Sequence, residues 1–266
     1  MRYIGSKRRI ASSLLQIILD GGGGTYIEPF VGGGNVIAAV PKRYKRIGAD
    51  INPNAINALR LIRDSPGSLP KNNAEFTVAD YTALKSKKTG LTPLEAFAGF
   101  AYSYAAKFLG SWATDNSGID YVRRAYQSAQ RQHVGLKGVD LICSPYQDLK
   151  IPSGSIIYCD PPYAGTDHGD YQYDGCACFD SAAFWAWCLA QSANNKVYVS
   201  EYTAPPGFVS VWSKRVAVTV SLNKYKYAVE KLFVPESQLG EFEHKNLPLF
   251  SGIKKPRPLA ASAAAT

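Results

Sequence analysis

The sequence predicts an α/β fold with a mostly parallel sheet, a C-terminal antiparallel hairpin and a small helical insert. Short apolar runs typical of buried strands alternate with segments of helical periodicity. Several of these runs end in a glycine turn or an acidic residue, the pattern expected where a parallel sheet binds ligands at its carboxyl edge. Residues 211–222 and 227–234 alternate apolar and polar side chains, which predicts the hairpin.

Length and composition fit one catalytic domain with an insertion. The chain has 266 residues, of which 46% are hydrophobic and 19% charged. We expect residues 1–65 and 139–250 to form the catalytic domain, 66–138 the insert, and the Ala/Ser/Pro-rich stretch 251–266 a disordered tail. No charge-free apolar run approaches the ~18 residues of a membrane span, and residues 1–9 lack the apolar core of a signal peptide. We therefore expect a cytoplasmic protein with no membrane partner.

The charge balance favours a polyanionic partner. The formal net charge is +9, and residues 86–138 contain seven Lys or Arg against three acidic residues. Three further basic residues follow Phe250. A basic excess concentrated in two segments is typical of proteins that bind nucleic acid, although it does not by itself identify one.

The functional interpretation depends on the residues that follow an apolar run at 155–159. This predicted strand ends at Asp160-Pro161-Pro162-Tyr163, because prolines cannot donate to a sheet ladder. The carboxylate of Asp160 and the carbonyl of Pro161 would accept both hydrogens of an exocyclic amino group and orient the lone pair of its nitrogen. Tyr163 offers a face on which a base could stack. The alternative is a turn that merely ends a strand.

A cofactor site is predicted after the strand 25–27. Glu28 is followed by a glycine-rich turn, and 36–40 is expected to begin a helix. A strand, a glycine turn and a helix N-terminus together form a nucleotide-cofactor site. The turn has neither the Gly-Lys-Ser/Thr of a phosphate loop nor a clean Gly-x-Gly-x-x-Gly, which disfavours a nicotinamide oxidoreductase.

An acid ends the second predicted strand. Asp50 stands at the end of the strand 46–50, where a ribose hydroxyl pair would be bound. It is followed by Asn52-Pro53, an N-cap residue and a proline suited to the first helical position. The alternative role for Asp50 is to cap this helix.

Four motifs occur in an order that resembles the Dam-like DNA N6-adenine methyltransferases. They are Tyr-Ile-Gly-Ser-Lys at 3–7, Glu-Pro-Phe-Val-Gly-Gly-Gly at 28–34, Ala-Asp-Ile-Asn at 49–52 and Asp-Pro-Pro-Tyr at 160–163. The resemblance covers roughly residues 1–65 and 139–234. It implies a Rossmann-like methyltransferase fold, an enzyme that uses S-adenosylmethionine, and a target-recognition insert between the cofactor motifs and the catalytic motif.

The resemblance also implies roles for individual residues. Tyr3 would contact the adenosine side of the cofactor, Lys7 and Glu28 its methionine end, and Asp50 its ribose hydroxyls. Pro145-Tyr146 stands where relatives carry an adenine-contacting pair. The complete set assigned to the cofactor is Tyr3, Lys7, Glu28, Pro29, Phe30, Gly32, Gly34, Asp50, Ile51, Pro145, Tyr146 and Asp160, and the catalytic set is Asp160, Pro161, Pro162 and Tyr163.

The insert is expected to contact DNA through a helix at 119–133. Arginine and glutamine at 3–4 spacing on one face can reach guanine and adenine edges or phosphates, and a solvated polar face is the alternative. A capped helix from Thr92 through Tyr104 precedes it. The insert lacks the Asn-Arg and Asn-Val-Pro motifs of cellular Dam enzymes and resembles phage-borne relatives at 107–110. The residues assigned to DNA are Arg124, Gln127, Arg131 and Lys107, with Lys224, Tyr225 and Lys226 in the loop of the hairpin.

Together these observations predict transfer of a methyl group from S-adenosylmethionine to N6 of a flipped-out adenine in double-stranded DNA. N4 of cytosine, an RNA adenine, and a nucleic-acid-binding module without catalysis remain alternatives. The reaction requires no metal and no covalent cysteine intermediate, and Cys176-Ala177-Cys178 has no second pair nearby with which to form a metal site. No obligate protein partner is indicated.

Overall fold

The computed structural model describes residues 1–19, 23–87, 89–114, 118–163, 179–221 and 224–240. The described part contains seven strands and six α-helices. The strands are β1 (Gly24–Glu28), β2 (Tyr44–Asp50), β3 (Val139–Cys143), β4 (Ile156–Cys159), β5 (Lys196–Glu201), β6 (Phe208–Ser221) and β7 (Lys224–Pro235). The helices are α1 (Ala11–Ile18), α2 (Pro53–Asp64), α3 (Val78–Ser86), α4 (Pro93–Ala101), α5 (Tyr121–Leu136) and α6 (Ser181–Ser192).

One seven-stranded sheet organises the chain, and it confirms the predicted Rossmann-like α/β fold. The strand order is β3-β2-β1-β4-β5-β7-β6. Strands β1 to β5 are parallel to one another, and β7 runs antiparallel to both β5 and β6. Connectivity reverses between β1 and β4, which makes the carboxyl ends of these strands the topological switch point where such sheets bind ligands.

Three predicted boundaries were wrong. The expected helix at 36–40 is a single 3-10 turn, Ile37–Ala39, because Pro41 forces the preceding residue into the extended conformation. The helix expected to run through Tyr104 ends at Ala101, and Ser103 then forms an antiparallel bridge to Trp112.

The hairpin loop is also shorter than predicted. Lys224, Tyr225 and Lys226 belong to β7, and the backbones of Tyr225 and Lys226 pair with those of Thr219 and Val218. Aromatic and β-branched residues favour a pleated strand, and they extend both strands of the hairpin to its turn.

The helices of the predicted insert pack directly on the sheet helices. Side chains of α4 and α5 share one continuous hydrophobic cluster with α1 and α2. The guanidinium of the buried Arg46 in β2 ties the end of α5 to the sheet, since it donates to the carbonyl oxygens of Gly135 (2.6 Å) and Lys137. Thus α5 is held at a fixed position beside the glycine turn that follows β1. Within the described residues, no helix is long and apolar enough to cross a membrane.

The contact between α5 and the 3-10 turn Ile37–Ala39 yields a stability prediction. A Cβ on Gly135 would lie 2.2 Å from the carbonyl oxygen of Ala38, whereas a Cβ on the exposed Gly67 would meet no atom within 4 Å. We expect Gly135→Ala to lower the free energy of unfolding by about 1–3 kcal/mol or more, against the usual gain from alanine in a helix. Urea unfolding measures this. Equal stability of Gly135→Ala and the control Gly67→Ala would contradict the packing described here.

Candidate active site

The four residues Asp160-Pro161-Pro162-Tyr163, which we call the tetrad, begin immediately after β4, a strand whose four residues are all buried. The chain leaves the sheet at Asp160, whose carboxylate remains partly exposed. Its Oδ1 lies 3.0 Å from Nζ of Lys7, a residue of the N-terminal segment that is only 6% exposed. The ammonium also donates to the carbonyl oxygen of Gly5 at 3.1 Å. The fold thus brings the predicted cofactor residue Lys7 onto the predicted catalytic carboxylate.

Tyr163 is held on three sides. Its hydroxyl donates to Oε2 of Glu230 at 2.8 Å, and Nζ of Lys7 lies 4.6 Å from the centre of its ring. The ring of Tyr202 packs edge-on against it at 4.7 Å. Pro161 is buried and Pro162 is half-buried, so the tetrad is anchored in the protein rather than extended into solvent.

Glu230 and Lys7 form an ion pair of their own beside the tetrad. Oε2 of Glu230 lies 3.8 Å from Nζ of Lys7. Burial raises the pKa of Glu230, while the neighbouring ammonium and the Tyr163 hydroxyl oppose that rise. Burial would lower the pKa of Lys7, but the charges of Asp160 and Glu230 outweigh it, so this pKa is raised. Lys7 therefore stays charged between two carboxylates.

Three carboxylates stand at the carboxyl ends of the adjacent strands β2, β1 and β4. They belong to Asp50, Glu28 and Asp160, which end or directly follow those strands. Burial raises the pKa of Glu28 well above its usual range; a hydrogen bond from the Tyr26 hydroxyl (2.8 Å) opposes that rise, and the charge of Asp160 adds to it. This concentration of acceptors, of which Glu28 and Asp50 are buried, fits a cationic ligand, because a positive charge would relieve both the burial cost and the mutual repulsion.

Asp50 links the second strand to the glycine turn. Its carboxylate accepts hydrogen bonds from the backbone N–H of Gly32 and of Asn52, both at 2.9 Å. The predicted cap is confirmed for Asn52, whose side chain accepts from the N–H groups of Asn54 and Ala55 at the start of α2. Asn52, and not Asp50, therefore caps α2, and the carboxylate of Asp50 binds the backbone of the glycine turn.

The glycine turn is covered by Tyr3. A Cβ on Gly33 would lie 2.7 Å from Cβ of Tyr3, and one on Gly32 would lie 2.9 Å from its ring. Gly32 and Gly34 also have positive φ angles of 46° and 65°, which other residues adopt only with strain. On its other side, the Tyr3 ring packs against Phe100 of α4 at 5.3 Å.

Tyr146 of the predicted adenine-contacting pair forms an aromatic wall with Phe30, a residue assigned to the cofactor without a more specific role. Phe30 packs against Tyr146 with ring centres 5.4 Å apart, and both contact Phe184 of α6. The neighbouring Pro29 is buried, and Pro145 is half-buried. Ile51 is 49% exposed beside Asp50, so it is available to a ligand.

No local pattern in the sequence pointed to Glu230 or Gln132 as site residues, and Tyr202 was assigned no role. Glu230 sits in the alternating pattern of β7, where an acidic residue normally faces solvent. Gln132 lies on α5, and its amide donates to the carbonyl oxygens of Gly33 (2.8 Å) and Gly34 (3.1 Å). Tyr202 directly follows β5 at the carboxyl edge of the sheet, and this position is the signal that could have found it.

The residues predicted to contact DNA fall into two groups. Arg124, Gln127 and Arg131 are exposed along one face of α5, and Lys107 is exposed after α4. Lys224, Tyr225 and Lys226 lie in β7, toward the turn of the hairpin. The two groups come from separate parts of the chain.

The N-terminal segment adds arginines to the exposed face of α5. The guanidinium groups of Arg2 and Arg124 lie 5.8 and 6.0 Å from the centre of the Tyr121 ring. Arg8 donates to the hydroxyl of Ser128 on α5 at 3.4 Å. We call Arg2, Arg8, Arg124 and Arg131 the α5 basic surface.

Three sequence features lie outside the described residues. They are the polar stretch 164–175 after the tetrad, the Cys176-Ala177-Cys178 segment and the predicted tail 251–266. Among the residues that the structure does describe, no three metal-ligating side chains form a cluster.

The sheet order and the carboxylate-proline turn at the end of β4 define an α/β methyltransferase. More particularly, the profile of the D12 class N6 adenine-specific DNA methyltransferases matches residues 3–204, and the chain belongs to that family.

Relatives and solved structures are similar to parts of this chain. DNA adenine methylases from two strains of Vibrio cholerae serotype O1 are 27% identical over 167 residues, 52% of this chain and 56% of theirs, so the match spans little more than half the length of these relatives. A Haemophilus influenzae protein described as a methylase has a TM-score of 0.35 at 9% identity, covering 88% of this chain and 91% of its own. The glycopeptide N-methyltransferase MtfA has a TM-score of 0.31 at 5% identity, covering 90% of this chain and 78% of its own.

The surroundings of Asp50 predict a pH dependence. Burial raises the pKa of Asp50 from 3.8 to about 6, against the two backbone hydrogen bonds. Between these values the folded state binds more protons than the unfolded state, so this group lowers the free energy of unfolding as pH rises from about 4 to about 6. We expect the stability of Asp50→Asn relative to wild type to increase by about 2 kcal/mol over that interval. Urea unfolding at both pH values tests this, and a difference that does not change with pH would contradict it.

Proposed function

We propose that this protein transfers a methyl group from S-adenosylmethionine to N6 of an adenine in double-stranded DNA. The observation that carries the proposal is that a nitrogen donor, Nζ of Lys7, is bound to Asp160 while lying over the ring of Tyr163. A target amino group needs the same two partners: an acceptor for its hydrogens and a flat face for its base. Family membership supports the DNA adenine as the acceptor.

The acidic edge of the sheet suits S-adenosylmethionine, which carries an ammonium and a sulfonium. Glu28 would bind the ammonium of the cofactor, and Asp50 would accept hydrogen bonds from its ribose hydroxyls. The aromatic wall of Phe30 and Tyr146 would border the adenine of the cofactor. When bound, this cofactor would supply an activated methyl group: its carbon–sulfur bond would break as the amine nitrogen bonds to the methyl carbon. S-adenosylhomocysteine would leave, and the nitrogen would then release one hydrogen as a proton. Asp160 would accept from the amino group, orient its lone pair and stabilise the positive charge that develops on nitrogen.

The α5 basic surface supports a duplex as the partner. It lies on the helix whose Gln132 holds the glycine turn, so phosphates bound there would lie beside the cofactor motifs. An adenine within a duplex is stacked and paired, and its amine must be swung out at a cost of roughly a few kcal/mol before it can reach Asp160. The ring of Tyr163 would offset part of that cost by stacking, which contributes about 1–3 kcal/mol per base.

Removal of the carboxylate should abolish transfer without preventing DNA binding. We expect Asp160→Ala to lower the rate of tritiated methyl transfer to unmethylated plasmid DNA by at least about 100-fold, because the amine loses its acceptor. DNA affinity should change by less than about 3-fold, since phosphate contacts dominate binding. The exposed Asp140 provides the matched control Asp140→Ala. Transfer by Asp160→Ala near the wild-type rate would refute the assignment.

The α5 basic surface predicts a change in the salt dependence of binding. Each phosphate contact contributes about one unit to the slope of log K against log salt. We therefore expect Arg124→Ala and Arg131→Ala each to weaken binding to any duplex and to reduce that slope by about one. Lys42→Ala is the control for the loss of one positive charge, because Lys42 is exposed in the segment before β2 and does not belong to the α5 basic surface. An unchanged slope in both arginine variants would exclude phosphate contacts at this surface.

A further inference from the structure

Lys7 occupies the position that the proposed function assigns to the target amine. Its ammonium is 3.0 Å from Asp160 and 4.6 Å from the centre of the Tyr163 ring. The side chain is only 6% exposed, so this is a packed arrangement and not an excursion of a surface lysine. A base cannot take both partners while the ammonium remains there, and Lys7 must therefore move when the amine binds.

Movement of a buried ammonium is costly unless it keeps a counter-charge. Among the described residues, Asp160 and Glu230 are the two carboxylates within 4 Å of Nζ of Lys7. The distance to Glu230 is 3.8 Å, so a shift of about 1 Å would give a charge-assisted hydrogen bond. The side chain of Glu230 is itself largely buried, which keeps water from replacing it as the partner of Lys7.

Glu230 also fixes the other element of the tetrad. It accepts the hydroxyl of Tyr163 at 2.8 Å through Oε2, the same oxygen that faces Lys7. Because β7 pairs directly with β5 inside the sheet, the backbone that carries Glu230 is anchored. One carboxylate on a rigid strand is thus placed to hold the ring while it receives the ammonium.

We propose that Glu230 is a positioning residue for methyl transfer: it takes the ammonium of Lys7 from Asp160 when the target amine binds, and it holds Tyr163 in place throughout. The inference rests on the proposed function. The exchange breaks no covalent bond and moves no proton. The ammonium passes from one carboxylate to another, and the neutral amine takes its place at Asp160.

Glu230→Gln separates the two roles, because the glutamine oxygen can still accept the Tyr163 hydroxyl while the charge is lost. We expect the single-turnover rate of methyl transfer to unmethylated plasmid DNA to fall about 10- to 100-fold, the scale of one hydrogen bond to a charged group. DNA affinity should change by less than about 3-fold. Glu236→Gln makes the same charge change at an exposed glutamate just after β7 and should stay within about 2-fold of wild type.

A double-mutant cycle tests whether the effect passes through Lys7. In a Lys7→Met background no ammonium has to be received, and Glu230→Gln should then cost less than about 3-fold. Lys7→Gln provides a second neutral background if the methionine variant does not fold, as judged by thermal unfolding. Coupling of this size would not arise if Glu230 only supported the fold.

Two results would overturn the inference alone: a wild-type rate for Glu230→Gln, or the same loss in the presence and absence of the Lys7 charge. Absence of transfer to DNA by the wild-type protein would instead contradict the proposed function, and the inference with it.

Discussion

The ion pair between Lys7 and Asp160 joins the parts of the molecule that the proposed reaction needs. Lys7 comes from the N-terminal segment and Asp160 from the end of β4, far apart along the chain. The same ammonium reaches Glu230 on β7 and the face of Tyr163. One cation thus holds three segments around one acceptor, in a place where an unpaired carboxylate would be expensive to bury.

The sheet order explains why a positive charge is needed beside Asp160. Parallel strands β2, β1 and β4 place Asp50, Glu28 and Asp160 at one edge of the sheet, where Asp50 and Glu28 are buried. The positive charge of Lys7 is at one side of this row, next to Asp160. The site is therefore prepared for a cation at Glu28 and for hydroxyl donors at Asp50, which are the features that S-adenosylmethionine offers under the proposed function.

Local sequence signals predicted much of the scaffold. The apolar run before Asp160 with its two prolines fixed the end of β4, and Asn52-Pro53 fixed the start of α2, because both effects act within a few residues. The helix expected at 36–40 was wrong, since periodicity favoured a helix that Pro41 ended after one turn.

The partners of the tetrad could not be predicted from local pattern. Glu230 lies 67 residues from Tyr163, and only the antiparallel insertion of β7 beside β5 brings it there. The docking of α5 on the glycine turn through Gln132 likewise depends on the buried Arg46, whose guanidinium would have been expected at the surface. Such contacts follow from topology, which single-residue patterns do not encode.

The most direct test of the account is the identity of the modified nucleoside. Plasmid DNA would be recovered from a host without adenine methylation that expresses this protein, digested to nucleosides and analysed by mass spectrometry. The account predicts N6-methyladenine, absent from the same host without the protein. N4-methylcytosine in its place, or no methylated nucleoside from a folded protein that is supplied with cofactor, would contradict it.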